Sequence, residues 1–448
     1  MLSSKAYTAR FSAKNLRALY VSKVGLAPSV GLDKITSSHF ANYLDENIDI
    51  ILRKVEKRTY SFTTYRQVLI SKGPERAPRV INIPTIRDQL ALGALSQVLD
   101  DVFDEQVKTP NPQGVVQSIV GELSRVTYES FVKVDIKQFY GSIPHDRLMK
   151  RIRRKIRKPQ MLDMLERALT TPSASFQPHS NVSRRACGVP EGLSISNKLG
   201  NLYLSDADET MRAYGGIAYF RYVDDILILC PKDAAAEIEL YLSKQMKRLK
   251  LQTSEAKCSK GDLADRSFEY LGYVFLPDGR VSVRKQSLFN LESALESHVK
   301  QYRNSKNKSL WIWQLNLRIT GCRISEDSYS FERFGWLHYF SKINDVELVC
   351  HLDWLVKRLL HRYKVNLKKN ELKSFKKTYY EVKYNSGYSN YIPCYVNGES
   401  VAEKRKMLKT LFQMVDIDDL DDAVIEELLN RHIRKEARKL ERDIGMLS

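Results

Sequence analysis

The stretch Ala218-Tyr-Phe-Arg-Tyr-Val-Asp-Asp-Ile-Leu-Ile-Leu-Cys230 decides how this chain is read. Two short apolar and aromatic runs flank the adjacent acids Asp224 and Asp225. Tyr, Val, Ile and Phe favour strands and the acids interrupt them, so the stretch predicts a β-hairpin with the carboxylates at its tip. Successive strand residues face opposite sides of a sheet, whereas a turn can present two neighbouring acids together. Carboxylates held this close repel each other unless a divalent cation lies between them and a further ligand. An ordinary acidic turn has the same local signature. The two readings separate on whether the chain supplies a partner carboxylate.

The 448 residues suffice for two or three domains with a large core. Lys and Arg number 72 against 53 Asp and Glu, a net charge of +19. Chemistry on a neutral metabolite does not require that excess, which points to a polyanionic partner, most simply nucleic acid. Six cysteines (Cys187, Cys230, Cys258, Cys322, Cys350, Cys394) are scattered without a C-x-x-C pair, so neither a zinc knuckle nor a disulfide framework is indicated. Free thiols fit a reducing cytoplasm, the expected location. No stretch approaches the roughly 18 apolar residues of a membrane span, and the N-terminus lacks a signal-peptide core, so no membrane partner is expected.

Outward from the hairpin, the missing acid is Asp135. Phe131-Val-Lys-Val-Asp135 reads as a strand ending in that residue. A helix from Arg147 to Lys158 follows, dense in Arg and Lys, and suits either a solvated face or a nucleic-acid backbone. Asp135 at a strand end and Asp224 at a hairpin tip make a platform for two Mg²⁺ ions, the arrangement phosphoryl transfer requires. Upstream, Tyr65-Arg-Gln-Val-Leu-Ile-Ser-Lys72 and Arg79-Val-Ile-Asn-Ile83 predict a hairpin with Lys72 and Arg79 near its bend. Those cations could close over triphosphate oxygens or simply be an exposed basic hairpin. A helix is expected to open after Pro84 and run through Leu99, with Thr109–Gly114 as a loop. Residues 1–60 read as a mixed-charge helical extension.

Read together, these segments match one family. Tyr222-Val-Asp-Asp225 resembles the signature hairpin of reverse transcriptases, and Phe131-Val-Lys-Val-Asp-Ile-Lys-Gln-Phe-Tyr-Gly-Ser-Ile-Pro-His145 resembles their first catalytic motif, in the style of group II intron and retron enzymes. Val68 to Asp88 is similar to their fingers segment, and Gly188-Val-Pro-Glu-Gly-Leu-Ser-Ile-Ser-Asn197 to their G-x-P-x-G loop and helix. Leu249 to Lys257 resembles the lysine-bearing motif after the hairpin, and Phe268-Glu-Tyr-Leu-Gly-Tyr273 the primer-grip hairpin. The likeness covers roughly residues 60–280, in the family's order.

The resemblance implies an α+β right-hand polymerase: fingers and palm with an antiparallel palm sheet, then an α-helical thumb and a helical C-terminal extension. The expected parts are fingers at 61–130, palm at 131–285 with a fingers insertion near 150–185, thumb at 286–367 and extension at 368–448. Asp135 and Asp224 would bind both metals, Asp225 would tune the site or contact primer, and the backbone carbonyl of Ile136 would complete the coordination; Mn²⁺ is a substitute for Mg²⁺. Lys72 and Arg79 would grip the incoming triphosphate, and Lys257 would protonate the departing pyrophosphate. Tyr140, five residues after Asp135, matches the aromatic gate against the sugar C2′, which implies deoxynucleotide (dNTP) substrates. The family commonly carries Gln in the loop's variable place; here it is Glu191, a negative charge near a triphosphate.

Amphipathic helices are expected at Leu310–Cys322, Phe334–Asp345 and Leu352–His361, with Trp and Tyr as inter-helix core and Lys and Arg outward. The segment around Gly335-Trp-Leu-His-Tyr-Phe resembles bacterial defence-associated reverse transcriptases. The tail has a basic run at Lys368–Lys377, a tyrosine-rich segment from Tyr379, and a helix that starts acidic and finishes basic by Lys439; it suits either a thumb cap or a module binding structured RNA or a second copy of the chain. No acid cluster resembles an RNase H site and no Cys/His set resembles a nuclease finger. The expectation is an RNA-directed DNA polymerase copying an associated non-coding RNA template into a DNA product, as in antiphage defence. The alternatives are a retron or group II intron-type enzyme, or an RNA-binding maturase-like protein.

Overall fold

The computed structural model describes residues 2–25, 29–71, 77–125, 127–175, 185–254, 258–325, 331–368, 370–385, 387, 389–395 and 400–445. The chain forms two compact units, one of residues 1–110 and 127–261, the other of 111–126 and 262–448. The mixed α+β content and antiparallel sheets match the expected fold class.

The first unit begins with helices Ser3–Arg10, Ala13–Leu19 and Leu44–Glu56, which pack on the long helix Ile86–Phe103. That helix starts at Thr85, whose hydroxyl caps the Asp88 amide, so Pro84 sits just outside it. β1 (Tyr65–Ile70) and β2 (Arg79–Ile83) pair antiparallel, Ile70 opposite Arg79, as the predicted hairpin requires, and the short β4 (Ser173–Ala174) runs parallel to β1. The second sheet of this unit has the order β5-β6-β3-β7, from β3 (Ser130–Asp135), β5 (Ala218–Tyr222), β6 (Asp225–Cys230) and β7 (Ser259–Asp262). Every residue of β6 is buried. An apolar run such as Ile226-Leu-Ile-Leu-Cys230 is what a central strand covered on both faces demands.

Two boundaries in or near this unit differ from expectation. The basic helix is His145–Ile152, not Arg147–Lys158, and Pro159 opens a new helix to Thr170. Arg151 of that run turns inward, bonding the Leu202 carbonyl and pairing with Asp206 at 2.9 Å, which makes it a structural cation. The loop expected at Thr109–Gly114 ends early: Asn111 caps Gln113, and Pro112 takes the first position of a helix to Ser124.

The second unit is not purely helical. Helices Lys285–Lys300, Lys308–Thr320, Val346–Arg362, Phe375–Tyr384, Val401–Phe412 and Asp422–Ile444 accompany two small sheets. One contains the hairpin Phe268–Tyr270 with Tyr273–Phe275; the other joins Cys322–Ser325, Phe331–Phe334 and Cys394–Tyr395. The helix expected at Phe334–Asp345 shrinks to one turn, Trp336–Tyr339. Gly335 sets where it begins: it sits at φ +127 with Gly321 so close that a Cβ would lie 2.6 Å from the Gly321 Cα, so strand and helix meet at a sharp corner. Trp311 and Trp336 are buried as expected, but Trp354 is 51% exposed.

Candidate active site

Asp135 ends β3 and Asp225 begins β6, and the two are direct cross-strand partners. They are 5% and 7% exposed. Asp224 lies in the two-residue turn between β5 and β6, and its carbonyl accepts a bond from the Ile136 amide at 3.2 Å. Ile136 also forms an isolated bridge with Thr253, flanked by the bonds Ser254 N to Asp135 O and Lys137 N to Gln252 O. The Ile136 carbonyl takes no part in those flanking bonds. Thus three carboxylates and one backbone carbonyl are placed by main-chain pairing at one end of one sheet.

The turn itself is held by groups that sequence reasoning missed. Val223 adopts φ +58, a left-handed conformation that a β-branched residue rarely takes. Arg221 donates to the Val223 carbonyl at 2.8 Å and to Asn201 Oδ1 at 3.0 Å. The same guanidinium grips Asp208 with both oxygens, Nε to Oδ1 at 2.7 Å and Nη2 to Oδ2 at 2.5 Å, and Tyr219 OH adds a third bond to that carboxylate at 2.8 Å. Arg221 and Asp208 side chains are 8% and 5% exposed, so this is a buried, hydrogen-bonded ion pair that offsets the strain. Beside the acids, Lys133 Nζ lies 3.6 Å from Asp225 Oδ1, a contact that an i, i+2 spacing with Asp135 on one strand face makes available.

On the other side lies the Gly188–Gly192 loop. Gly188 and Gly192 sit at φ +87 and +99; a Cβ would meet Gly141 O at 2.9 Å and Asn82 O at 2.8 Å respectively. Only glycine lets the loop pass this close to both backbones. Val189 N bonds Tyr140 O at 2.7 Å, and Asn82 donates to Glu191 O from its amide at 2.8 Å and its side chain at 2.9 Å. Tyr140 OH donates to Asn197 Oδ1 at 2.5 Å. Burial, with the nearby charges of Asp224 and Glu191, holds its phenol well above the usual range, while Arg79 and Arg221 oppose that. The Arg79 Nε donates to Glu191 Oε2 at 2.6 Å. Tyr140 therefore lies in electrostatic reach both of Asp224 and of the Arg79–Glu191 pair. Lys72 and Lys257 lie outside the described residues.

Among the described residues no three His, Cys, Asp or Glu side chains are drawn together as a ready metal cage. The donor chemistry nevertheless fits a hard divalent cation: Asp135, Asp224, Asp225 and the Ile136 carbonyl offer only oxygen, on a rigid edge.

Residues 70–275 match the family described as reverse transcriptase (RNA-dependent DNA polymerase). Curated relatives include an uncharacterized 91 kDa protein in a cob intron of Schizosaccharomyces pombe, 26% identical over 170 residues (36% of this chain and 20% of that protein). Another is the group II intron-encoded protein LtrA of Lactococcus lactis subsp. cremoris, 25% identical over 173 residues (37% of this chain and 28% of that one). The chain spans less than a third of the length of these relatives. A solved structure of telomerase from Candida albicans, in complex with a fragment of telomeric RNA, is 12% identical with a TM-score of 0.45, covering 92% of this chain and 69% of that one. The segment 70–275, which carries Asp135, Asp224 and Asp225, is the part of this chain that matches the reverse transcriptase family.

Proposed function

We propose that this chain is an RNA-directed DNA polymerase that adds deoxynucleotides by phosphoryl transfer. The observation that carries the reading is the Asp135–Asp225 pairing with Asp224 in the adjoining turn, with Tyr140 in electrostatic reach of Asp224 and of the Arg79–Glu191 pair. Two Mg²⁺ ions, or Mn²⁺ in their place, held by Asp135, Asp224, Asp225 and the Ile136 carbonyl, would supply activation of the attacking hydroxyl and charge neutralisation on the phosphates. The protein's own residues do the positioning. Lys133 tempers the charge of Asp225, which suits Asp225 to tuning the site as well as offering it a ligand. Arg79 and Lys72 bind phosphate oxygens, and Lys257 gives a proton to the pyrophosphate. The Tyr140 ring, fixed by Asn197 and packed against Phe139 at 5.1 Å, excludes a 2′-hydroxyl.

Fingers at 61–130, palm at 131–285, thumb at 286–367 and extension at 368–448 complete the reading. RNA is the proposed template partner. In the second unit the helix Phe375–Tyr384 exposes Lys376, Lys377, Tyr380, Lys383 and Tyr384, with the last two tyrosine side chains 6.1 Å apart and near-parallel. Alternating cations and aromatic faces suit single-stranded nucleic acid. The finer proposal is copying of an associated structured non-coding RNA in bacterial antiphage defence, in the cytoplasm, with self-association as an added feature. A second reading, a group II intron-type enzyme, is favoured by the intron-encoded relatives.

The test is extension of a DNA primer on an RNA template. Wild type is expected to incorporate dNTPs in preference to ribonucleotides, and Asp224→Ala to incorporate neither. Equal incorporation by both proteins removes the reading.

A further inference from the structure

Arg79 and Glu191 are 112 residues apart in sequence yet joined at 2.6 Å, Nε to Oε2. Both side chains are partly exposed, 26% and 30%. The backbone of Glu191 is fixed on both sides. Its carbonyl takes two bonds from Asn82, and the next residue, Gly192, is pressed against β2 in a conformation closed to other residues. The backbone of Arg79 is fixed by its pairing with Ile70. Only the two side chains are left to move.

A partly exposed ion pair of this kind is weak in net terms, because solvent competes for both partners. It is therefore a poor structural staple. It also spends the phosphate-seeking face of an arginine on a carboxylate. Coulomb's law gives the consequence. A triphosphate carries several negative charges to the one on Glu191, so it can take Arg79 from the carboxylate, but it must displace that carboxylate and lie near it afterwards.

Resting on the polymerase reading, we propose that Glu191 is a nucleotide-entry gate: its carboxylate occupies Arg79 in the empty site, and an incoming nucleoside triphosphate must displace it to bind. The gate sets a threshold for occupancy. It discriminates against ligands with fewer phosphates, which lack the charge to win Arg79, and it raises the nucleotide concentration at which synthesis runs.

The experiment is a dNTP titration of single-nucleotide incorporation by wild type, Glu191→Gln, Arg79→Ala and the double variant, with thermal melts as folding controls. Gln keeps an oxygen acceptor for Arg79 and drops the charge. The expected result is that Glu191→Gln lowers the KM for dNTP about fivefold with kcat within about twofold, and that added deoxynucleoside diphosphate inhibits Glu191→Gln more strongly than it inhibits wild type. In the Arg79→Ala background the same substitution is expected to change KM less than about twofold, since there is no guanidinium to release. A KM that rises or stays constant in Glu191→Gln overturns the gate and makes Glu191 a positioning residue. An equal fall in both backgrounds overturns it too, in favour of plain charge repulsion. Failure of the polymerase reading is distinguishable, because wild type would then match Asp224→Ala.

Discussion

The two ends of the candidate site are built differently. At the acid end Asp135, Asp224 and Asp225 are placed by strand pairing, by the Ile136 amide and by the buried Arg221–Asp208 pair under the turn. At the cation end Arg79 meets Glu191 in a partly exposed pair on fixed backbones. Under the proposed polymerase function, the contrast follows what each end must do. Groups that stabilise a transition state gain by being fixed before substrate arrives, since reorganisation then costs nothing during the reaction. Groups that bind and release a triphosphate must exchange partners on every cycle.

Breaking the acid end should have the largest effect. The double substitution Asp224→Ala, Asp225→Ala is expected to lower the rate of nucleotide incorporation by at least about 10³-fold while leaving the melting transition in place. A loss under tenfold would erase the contrast. Next, Arg221→Ala leaves Asp208 buried without its partner and removes the bond to the Val223 carbonyl. A destabilisation of about 3–5 kcal/mol is expected in urea titration. A cost below about 1 kcal/mol would mean that the turn is held by something else.

The cation end should behave in the opposite way. Arg79→Ala is expected to raise the KM for dNTP about tenfold, as loss of a charge-assisted contact does, yet to change stability by less than about 1 kcal/mol. A large fall in stability would make Arg79–Glu191 a staple and not a substrate contact. The smallest effect belongs to Val223→Gly. It relieves the left-handed strain at φ +58 but loosens the turn. Stability should stay within about 1 kcal/mol of wild type, with kcat falling a few-fold. A faster enzyme would show that the strain, not the rigidity, limits the acids.

Much of the acid end was legible because it is local. The hairpin around Asp224 and the strand ending at Asp135 are each short, continuous stretches whose alternation and β-branching reveal them. The hairpin Tyr65–Ile83 read correctly on the same grounds. The supports were not legible. Arg221 and Asp208 sit on a strand and a helix 13 residues apart, and charged residues are by default assigned to the surface. An Arg inside an otherwise apolar strand beside two acids was the signal. Arg79 and Glu191 were each singled out, but nothing local could bring together residues 112 apart. In the second unit the start of the helix after Phe334 is set by the tertiary Gly321–Gly335 contact, and the small sheet at Cys322–Ser325 takes its third strand, Cys394–Tyr395, from far along the chain.

The central claim, that Asp135, Asp224 and Asp225 serve DNA synthesis on an RNA template, is tested most directly by sequencing nucleic acid that co-purifies with the expressed protein. Wild type should carry DNA complementary to an RNA it also holds, and the Asp224→Ala, Asp225→Ala variant should carry the RNA without that DNA. The same complementary DNA on both proteins would contradict the account.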